Sequence, residues 1–220
     1  MRALRMRSLT LMSVTVAGAA LIASATAASA GPLASPARAT VAQAAASSVF
    51  TITGGSTTTV STPELGKALL GAGIVPLPVG KAKLKSLDLK TLSTTITMPS
   101  VGGTLDPAAF LTGDIDHAGG LQFISLKTFR SVIISDFVVF NDANPRLVAT
   151  VNKDPKQKVT LFKVDTSALV LTGSTGQLGL GNVGLLVTDE GAALLNGKLK
   201  TNVFKAGMKF GTGDTTVLYK

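Results

Sequence analysis

From Val49 to its C-terminus, the chain alternates short runs rich in Thr, Val, Ile and Leu with turn residues such as Gly, Asn, Asp and Pro. Repeated short runs of this kind predict a sandwich or a barrel of β-strands. We predict an all-β fold over residues 48–220: a β-sandwich, immunoglobulin-like or related, with two short peripheral helices. The candidate strands are Val49–Thr53, Thr91–Met98, Gly120–Ser125, Ser131–Phe140, Arg146–Val151, Lys158–Val164, Ser167–Leu171 and Thr215–Tyr219.

Two segments carry the start and stop signals of short helices. Thr62-Pro63-Glu64 supplies an N-cap, a proline at the first helical position and an acid in the first turn, before an apolar stripe that stops at Gly71 or Gly73. Thr188 begins a similar segment that stops at Gly197. Helices of about two turns are not stable alone, so we expect both to pack on the sheets.

The N-terminal region has the three-part layout of a secretory signal peptide. Three arginines lie close to the start, an apolar stretch runs from Leu9 to Ala23, and Ala28-Ser29-Ala30 offers a cleavage site. A later cut at residues 37–39 and an uncleaved anchor are the alternatives. We predict a signal peptide over residues 1–30, a flexible linker over 31–47 and no transmembrane segment after cleavage. The protein would then be secreted and extracellular, or associated with the cell wall.

The composition excludes several classes of function. With no Cys and a single His, the chain lacks the side chains for disulfides, zinc–thiolate sites, iron–sulfur clusters and multi-histidine metal centres. The glycines from Gly179 to Gly184 match G-x-G-x-x-G, but a strand-like run follows them where a dinucleotide site needs a helix. That match indicates a glycine-rich turn or bulge. We predict a protein that is not an enzyme, with no catalytic residues and no metal site.

The densest polar cluster is Asp114-Ile115-Asp116-His117. On a strand, the two carboxylates would share one face and the imidazole would lie on the other. A polar turn that precedes a strand, with a locally hydrogen-bonded histidine, is the alternative. We name His117, Asp114 and Asp116 as candidate ligand-binding residues. A hydrolase is a third alternative, and it would need two converging polar groups in a cleft.

Lysines alternate with small or apolar residues from Lys81 through Lys83 to Lys85, in a chain with a formal charge of +9. A strand here would expose a basic face and bury Ala82 and Leu84. That face could bind anionic cell-envelope polymers or a membrane surface, or it could protect a sheet edge from aggregation. Nucleic acid is not expected as a partner, because an exported chain with few aromatic residues and few arginines is poorly suited to it.

Several short motifs resemble a known family. The segment at residues 116–123 contains the pattern His-x-Gly-Gly-Leu-x-Phe, and related patterns occur at residues 133–139, 185–193 and 204–207. They resemble a group of secreted actinobacterial β-rich proteins that is distantly similar to the HtaA haem-uptake domain. The resemblance implies haem or another small ligand, with His117 at a matching position. The chain departs from the pattern in having no Trp, and in having Phe204 where that family often has Tyr.

We therefore predict a secreted or cell-envelope-associated, non-enzymatic binding or structural protein with a mildly basic face and no cofactor. The alternative is a haem or small-ligand carrier of the HtaA type, in which His117 would contact the ligand. These functions differ in what they require of the structure. Docking on an anionic surface needs exposed lysines, whereas a carrier needs a deep apolar site beside His117.

Overall fold

A computed structural model describes residues 49–220. The predicted signal peptide, the predicted linker and residue 48 lie outside the described residues. Within residues 49–220, no helix has both the length and the apolar character needed to cross a membrane. All the strands described below pair within this range, which therefore contains a core of its own.

The domain contains twelve strands, two α-helices and one short 3-10 helix over Pro107–Ala109. The helices are α1 (Pro63–Ala72) and α2 (Asp189–Leu199). The strands are β1 (Phe50–Ser61), β2 (Ile74–Val79), β3 (Lys83–Asp88), β4 (Ser93–Asp106), β5 (Thr112–His117), β6 (Gly120–Ser125), β7 (Arg130–Asn141), β8 (Arg146–Val151), β9 (Asp154–Asp165), β10 (Val170–Ser174), β11 (Gln177–Val187) and β12 (Lys209–Tyr219).

Eight of the strands form a closed antiparallel ring. Their order is β7-β5-β4-β1-β12-β11-β9-β8, and β8 pairs with β7 to close it. The remaining strands extend this sheet: β6 pairs with β7, β2 with β6, β3 with β4 and β10 with β11. The all-β class is confirmed, but the strands form one sheet closed into a barrel where a sandwich of two stacked sheets was predicted. Both arrangements bury alternate residues, so alternation alone does not distinguish them.

Both helices begin where their capping residues predict. The Thr62 side chain accepts a hydrogen bond from the Leu65 N–H, and α1 ends at Gly73, which adopts the left-handed conformation that glycine tolerates best. The Thr188 side chain accepts from the Gly191 N–H. The second helix continues past the predicted stop at residue 197 to Leu199, and Lys200 forms its left-handed C-cap. The two short peripheral helices are thus confirmed.

The glycine-rich match at residues 179–184 lies within β11 and not before a helix. The pairing of β11 with β12 shifts register between Leu180 and Val183, and Asn182 there has a positive φ. This is a β-bulge, which agrees with the prediction for this segment.

The buried side chains form two clusters. The larger cluster lies where α1 and α2 meet the sheet and includes Phe123, Phe204 and Leu195. The smaller cluster is formed by Ile52, Leu105, Ile115 and Val217. Val139, on β7, packs against both. The core is therefore continuous along β7, and the space between its two parts is the site described next.

Candidate ligand site inside the barrel

A cavity of about 990 Å³ lies inside the ring of strands. Every one of the eight ring strands contributes lining side chains, and most of these are apolar. Examples are Met98, Phe137, Val139, Leu147, Phe162 and Val183. Eight-stranded barrels have an interior wide enough for one small ligand, and ligand sites are usually mainly apolar with few polar groups. The volume and the lining both fit a site for a small organic molecule.

One wall of the cavity carries a small hydrogen-bonded polar cluster. The Thr57 hydroxyl lies 2.6 Å from Nε2 of His117 and 2.8 Å from the Thr215 hydroxyl. Thr59 lines the same wall. Three strands hold these side chains: Thr57 and Thr59 come from β1, Thr215 from its neighbour β12 and His117 from β5, while β4 lies between β1 and β5. This cluster supplies the cavity with hydroxyl groups in otherwise apolar surroundings.

The imidazole of His117 is buried, with only 4% of its surface exposed. Burial lowers its pKa from 6.5 to about 4, and the backbone carbonyls of Phe137 and Ile115 oppose this effect only in part. Those carbonyls do not form a hydrogen bond of normal geometry with Nδ1, which is buried without a partner. His117 is therefore a neutral imidazole at physiological pH, with Nε2 occupied by Thr57 and Nδ1 enclosed by protein.

The other buried side-chain atom without a hydrogen-bond partner, among the described residues, is Oγ of Ser100. Ser100 on β4 is the cross-strand partner of His117 on β5, next to a register shift between Ser100 and Gly102. Buried polar groups without partners destabilise a fold by about 1–3 kcal/mol each. The two such groups in this domain thus lie at one position of the barrel wall, beside the cavity.

Asp114 and Asp116 do not lie beside the imidazole. Ile115 and His117 face the cavity, so alternation directs the two carboxylates to the outer face of β5, as the sequence pattern predicted. Asp114 accepts a hydrogen bond from the Thr104 hydroxyl. The pKa of Asp116 is raised, first by burial and then by the charge of Asp114, while Lys158 opposes the shift. A role of these carboxylates in ligand binding stays a prediction, on a different face from His117.

Lys81, Lys83 and Lys85 are all exposed, and the last two lie on β3, which pairs only with β4. Ala82 is buried as predicted, but Leu84 is 51% exposed, so its predicted burial is wrong. Among the described residues, no strand pairs with the outer edge of β3, which leaves the leucine at the surface. Binding of anionic polymers by these lysines stays a prediction.

Sequence reasoning identified His117 but missed Thr57 and Thr215. Threonine is common in strands because its branched side chain packs well on a pleated surface. These two residues are 158 positions apart and become neighbours only through the β1–β12 pairing. Thr57 lies in a run of Gly, Ser and Thr, so the sequence around it does not mark it as a cavity residue. Within residues 49–220, no three His, Cys, Asp or Glu side chains come together as metal ligands.

The fold has known counterparts. No protein-family model and no curated protein matches the chain. The crystal structure of the C-terminal domain of HtaA from Corynebacterium glutamicum is similar, with a TM-score of 0.57 and 12% identity over 78% of this chain and 99% of that one. A domain-swapped dimer of a histidine-to-alanine variant of that domain has a TM-score of 0.50 and 12% identity, over 69% of this chain and 88% of that one. The distant similarity to HtaA predicted from the sequence is confirmed as a similarity of fold.

Proposed function

We propose that this protein binds a small, mainly apolar molecule inside the barrel. The single observation that carries this proposal is the cavity of about 990 Å³, which is lined by apolar side chains from all eight ring strands. Its polar wall of Thr57, Thr59 and Thr215 would orient a ligand through hydroxyl groups. The similarity to the HtaA domain supports a binding function over catalysis. Asp114 and Asp116 lie on the outer face of β5, away from the cavity. Their position also favours binding over catalysis, because it leaves no carboxylate from this pair beside a ligand in the cavity.

Haem is the second candidate ligand, because the sequence motifs and the fold both resemble HtaA. The apolar cavity fits the body of a porphyrin. The donor set does not fit its iron: Nε2 of His117 is held by Thr57 at 2.6 Å, and Nδ1 is enclosed. The single phenol, Tyr219, stacks on Phe50 with ring centroids 3.9 Å apart and is not among the lining residues. We therefore expect recognition through the organic part of the ligand.

Filling the cavity tests the main proposal. Val139→Trp adds a large side chain toward the interior, whereas Val138→Trp places the same side chain on the outer face of the same strand. Titration with a fluorescent fatty acid should show at least about tenfold weaker binding to the first variant, because overpacking excludes the ligand. The second should bind as the unmodified protein does. Equal binding by both variants would place the ligand outside the barrel.

The role of iron is tested by comparing haemin with metal-free protoporphyrin, each followed by its absorption spectrum. We expect the two to bind within about threefold of each other, because neither His117 nor Tyr219 is free to ligate iron. His117→Ala should leave that ratio unchanged. A preference for haemin of more than about tenfold that is lost in His117→Ala would instead show that the imidazole ligates iron. In that case haem would be the ligand.

Export of this carrier is part of the proposal and rests on the predicted signal peptide. A secreted or cell-surface protein that meets apolar molecules outside the cell would need an enclosed site to hold them in water, since exposed apolar surface is unfavourable there. Immunodetection of the protein in culture medium and cell-wall fractions tests this. Retention in the cytoplasmic fraction would contradict it.

A further inference from the structure

Five large apolar side chains are exposed on three neighbouring segments at one end of the barrel, which we call the helix-end surface. The segments are α1, the end of β3 with the turn that joins it to β4, and the turn that joins β6 to β7 with the first residue of β7. Phe129 is 89% exposed, Leu89 75% and Leu70 65%. Leu87 and Leu126 are more than half exposed. Contiguous exposed apolar surface of this kind marks an interaction site.

The three segments are contiguous. The first turn of α1 packs so closely on the β3–β4 turn that a Cβ at Gly66 would overlap the Leu92 carbonyl. On the other side of the helix, the Lys127 ammonium donates to the Gly71 carbonyl at 2.8 Å, and the Leu126 N–H donates to the Gly73 carbonyl at 2.8 Å. Strands β4 and β7 are both antiparallel to β5, so the turns that precede them lie at the same end of the barrel.

Cations accompany the apolar side chains. Four lie on the three segments and two carboxylates lie among them, which gives a net positive charge; these residues are Lys67, Lys90, Lys127 and Arg130, with Glu64 and Asp88. The carboxylate of Asp88 accepts the N–H groups of Lys90 and Thr91 at the turn. Positive charge beside protruding apolar side chains complements a surface with anionic headgroups above an apolar layer.

We infer that the helix-end surface docks on an anionic phospholipid bilayer, with Phe129 and Leu89 inserted at the headgroup level. Lysine favours this occupant over a protein partner, because it is depleted in protein–protein interfaces, whereas its long stem can lie along apolar material with the ammonium at the headgroups. The apolar side chains also lie on separate segments, which suits a soft layer better than a shaped protein surface.

The same surface adjoins the cavity. Leu70, Leu87 and Leu89 belong to the helix-end surface and also line the cavity. An apolar ligand could therefore pass between the bilayer and the barrel without crossing water. That transfer rests on the proposed function, whereas docking itself needs no ligand.

Two phenylalanines provide a matched pair for the test. Phe129 and Phe110 are 89% and 96% exposed, both have a positive φ, and they lie at opposite ends of the barrel because Phe110 follows β4 while Phe129 precedes β7. The domain of residues 49–220 is mixed with vesicles of phosphatidylglycerol and phosphatidylcholine, or of phosphatidylcholine alone, and bound protein is separated by flotation. Phe129→Ser removes an apolar side chain without changing charge, and Phe110→Ser does the same at the far end.

We expect binding to the anionic vesicles, at least about tenfold weaker binding by Phe129→Ser, and no change in Phe110→Ser. Lys127→Gln combined with Arg130→Gln should also weaken binding, and added salt should weaken binding by the unmodified domain. Thermal unfolding of each variant checks that the fold is intact. The inference is overturned if the two serine variants behave alike, or if phosphatidylcholine alone binds as well.

A soluble polyanion would be the partner if polyphosphate binds and vesicle binding does not depend on Phe129, and that result also overturns docking on a bilayer. Val139→Trp separates this inference from the proposed function. This variant should block ligand uptake and leave vesicle binding unchanged. Ligand titration therefore tests the proposed function and flotation tests docking, and either can fail without the other.

Discussion

Acidification from pH 7 to pH 4 should lower the free energy of unfolding by about 3 kcal/mol through His117 alone. The folded domain holds the pKa of this imidazole at about 4, against 6.5 without burial. Below pH 6.5 the unfolded chain takes up a proton that the folded chain does not, so the unfolded state gains stability as the pH falls. Below about pH 4 both states are protonated, and the loss stops growing.

His117→Gln should remove this dependence, since the chain contains no other histidine. Urea unfolding of the unmodified domain and of His117→Gln at pH 7, 5.5 and 4 measures this pH dependence. The quantity to compare is the difference between their free energies of unfolding at each pH. Asp116, whose pKa is raised in the folded state, acts in the opposite direction, but it is present in both proteins and cancels from the difference. If the difference in unfolding free energy between the two proteins does not change from pH 7 to pH 4, the imidazole is not buried in a neutral form.

Phe123→Ala should destabilise the domain by about 3–5 kcal/mol. The side chain is 1% exposed, and its ring meets Phe204 and Phe210 edge-on with centroids 5.8 and 6.5 Å away. Its removal takes away apolar burial, leaves a void where the helices pack on the sheet, and removes two aromatic contacts.

Phe129→Ala is the matched control for this substitution. Phe129 is 89% exposed and contributes little to the folded state, so its loss should change stability by less than about 0.5 kcal/mol. Midpoints of urea unfolding at constant pH measure both variants. Similar losses in the two proteins would contradict the core described here. A small effect of Phe129→Ala would also confirm that this residue is free to serve an external partner.

Local signals made some of the fold predictable. The start of α1 is fixed by Thr62, Pro63 and Glu64, and its end by Gly73, all within a few residues of the helix itself. Strand β2 was not among the predicted strands, and its Pro76 and Pro78 are unusual in a strand. It exists because it lies at an edge of the sheet and pairs only with β6, where missing N–H groups are tolerated.

Closure of the barrel could not be predicted, because it depends on pairings between distant residues. Strand β7 pairs with β6 along its first half, with β5 along its second half and with β8 on its other side. The polar cluster of the site likewise depends on contacts between residues that are distant in the sequence. His117 was identifiable as the one histidine, but its hydrogen-bond partner Thr57 lies 60 residues away along the chain, and Thr215, the other partner of Thr57, lies 158 residues from Thr57.

The pairing of β1 with β12 has a consequence for the order in which the molecule can form. One of the two neighbours of β1, the first described strand, is β12, which is the last strand. The ring therefore stays open until almost the whole chain has been synthesised. Such distant contacts make folding slow, because loop-closure entropy is lost before the contacts are gained. A chain that stops before Lys209 would leave β1 and β11 without their shared neighbour. We expect it to expose two strand edges to other chains.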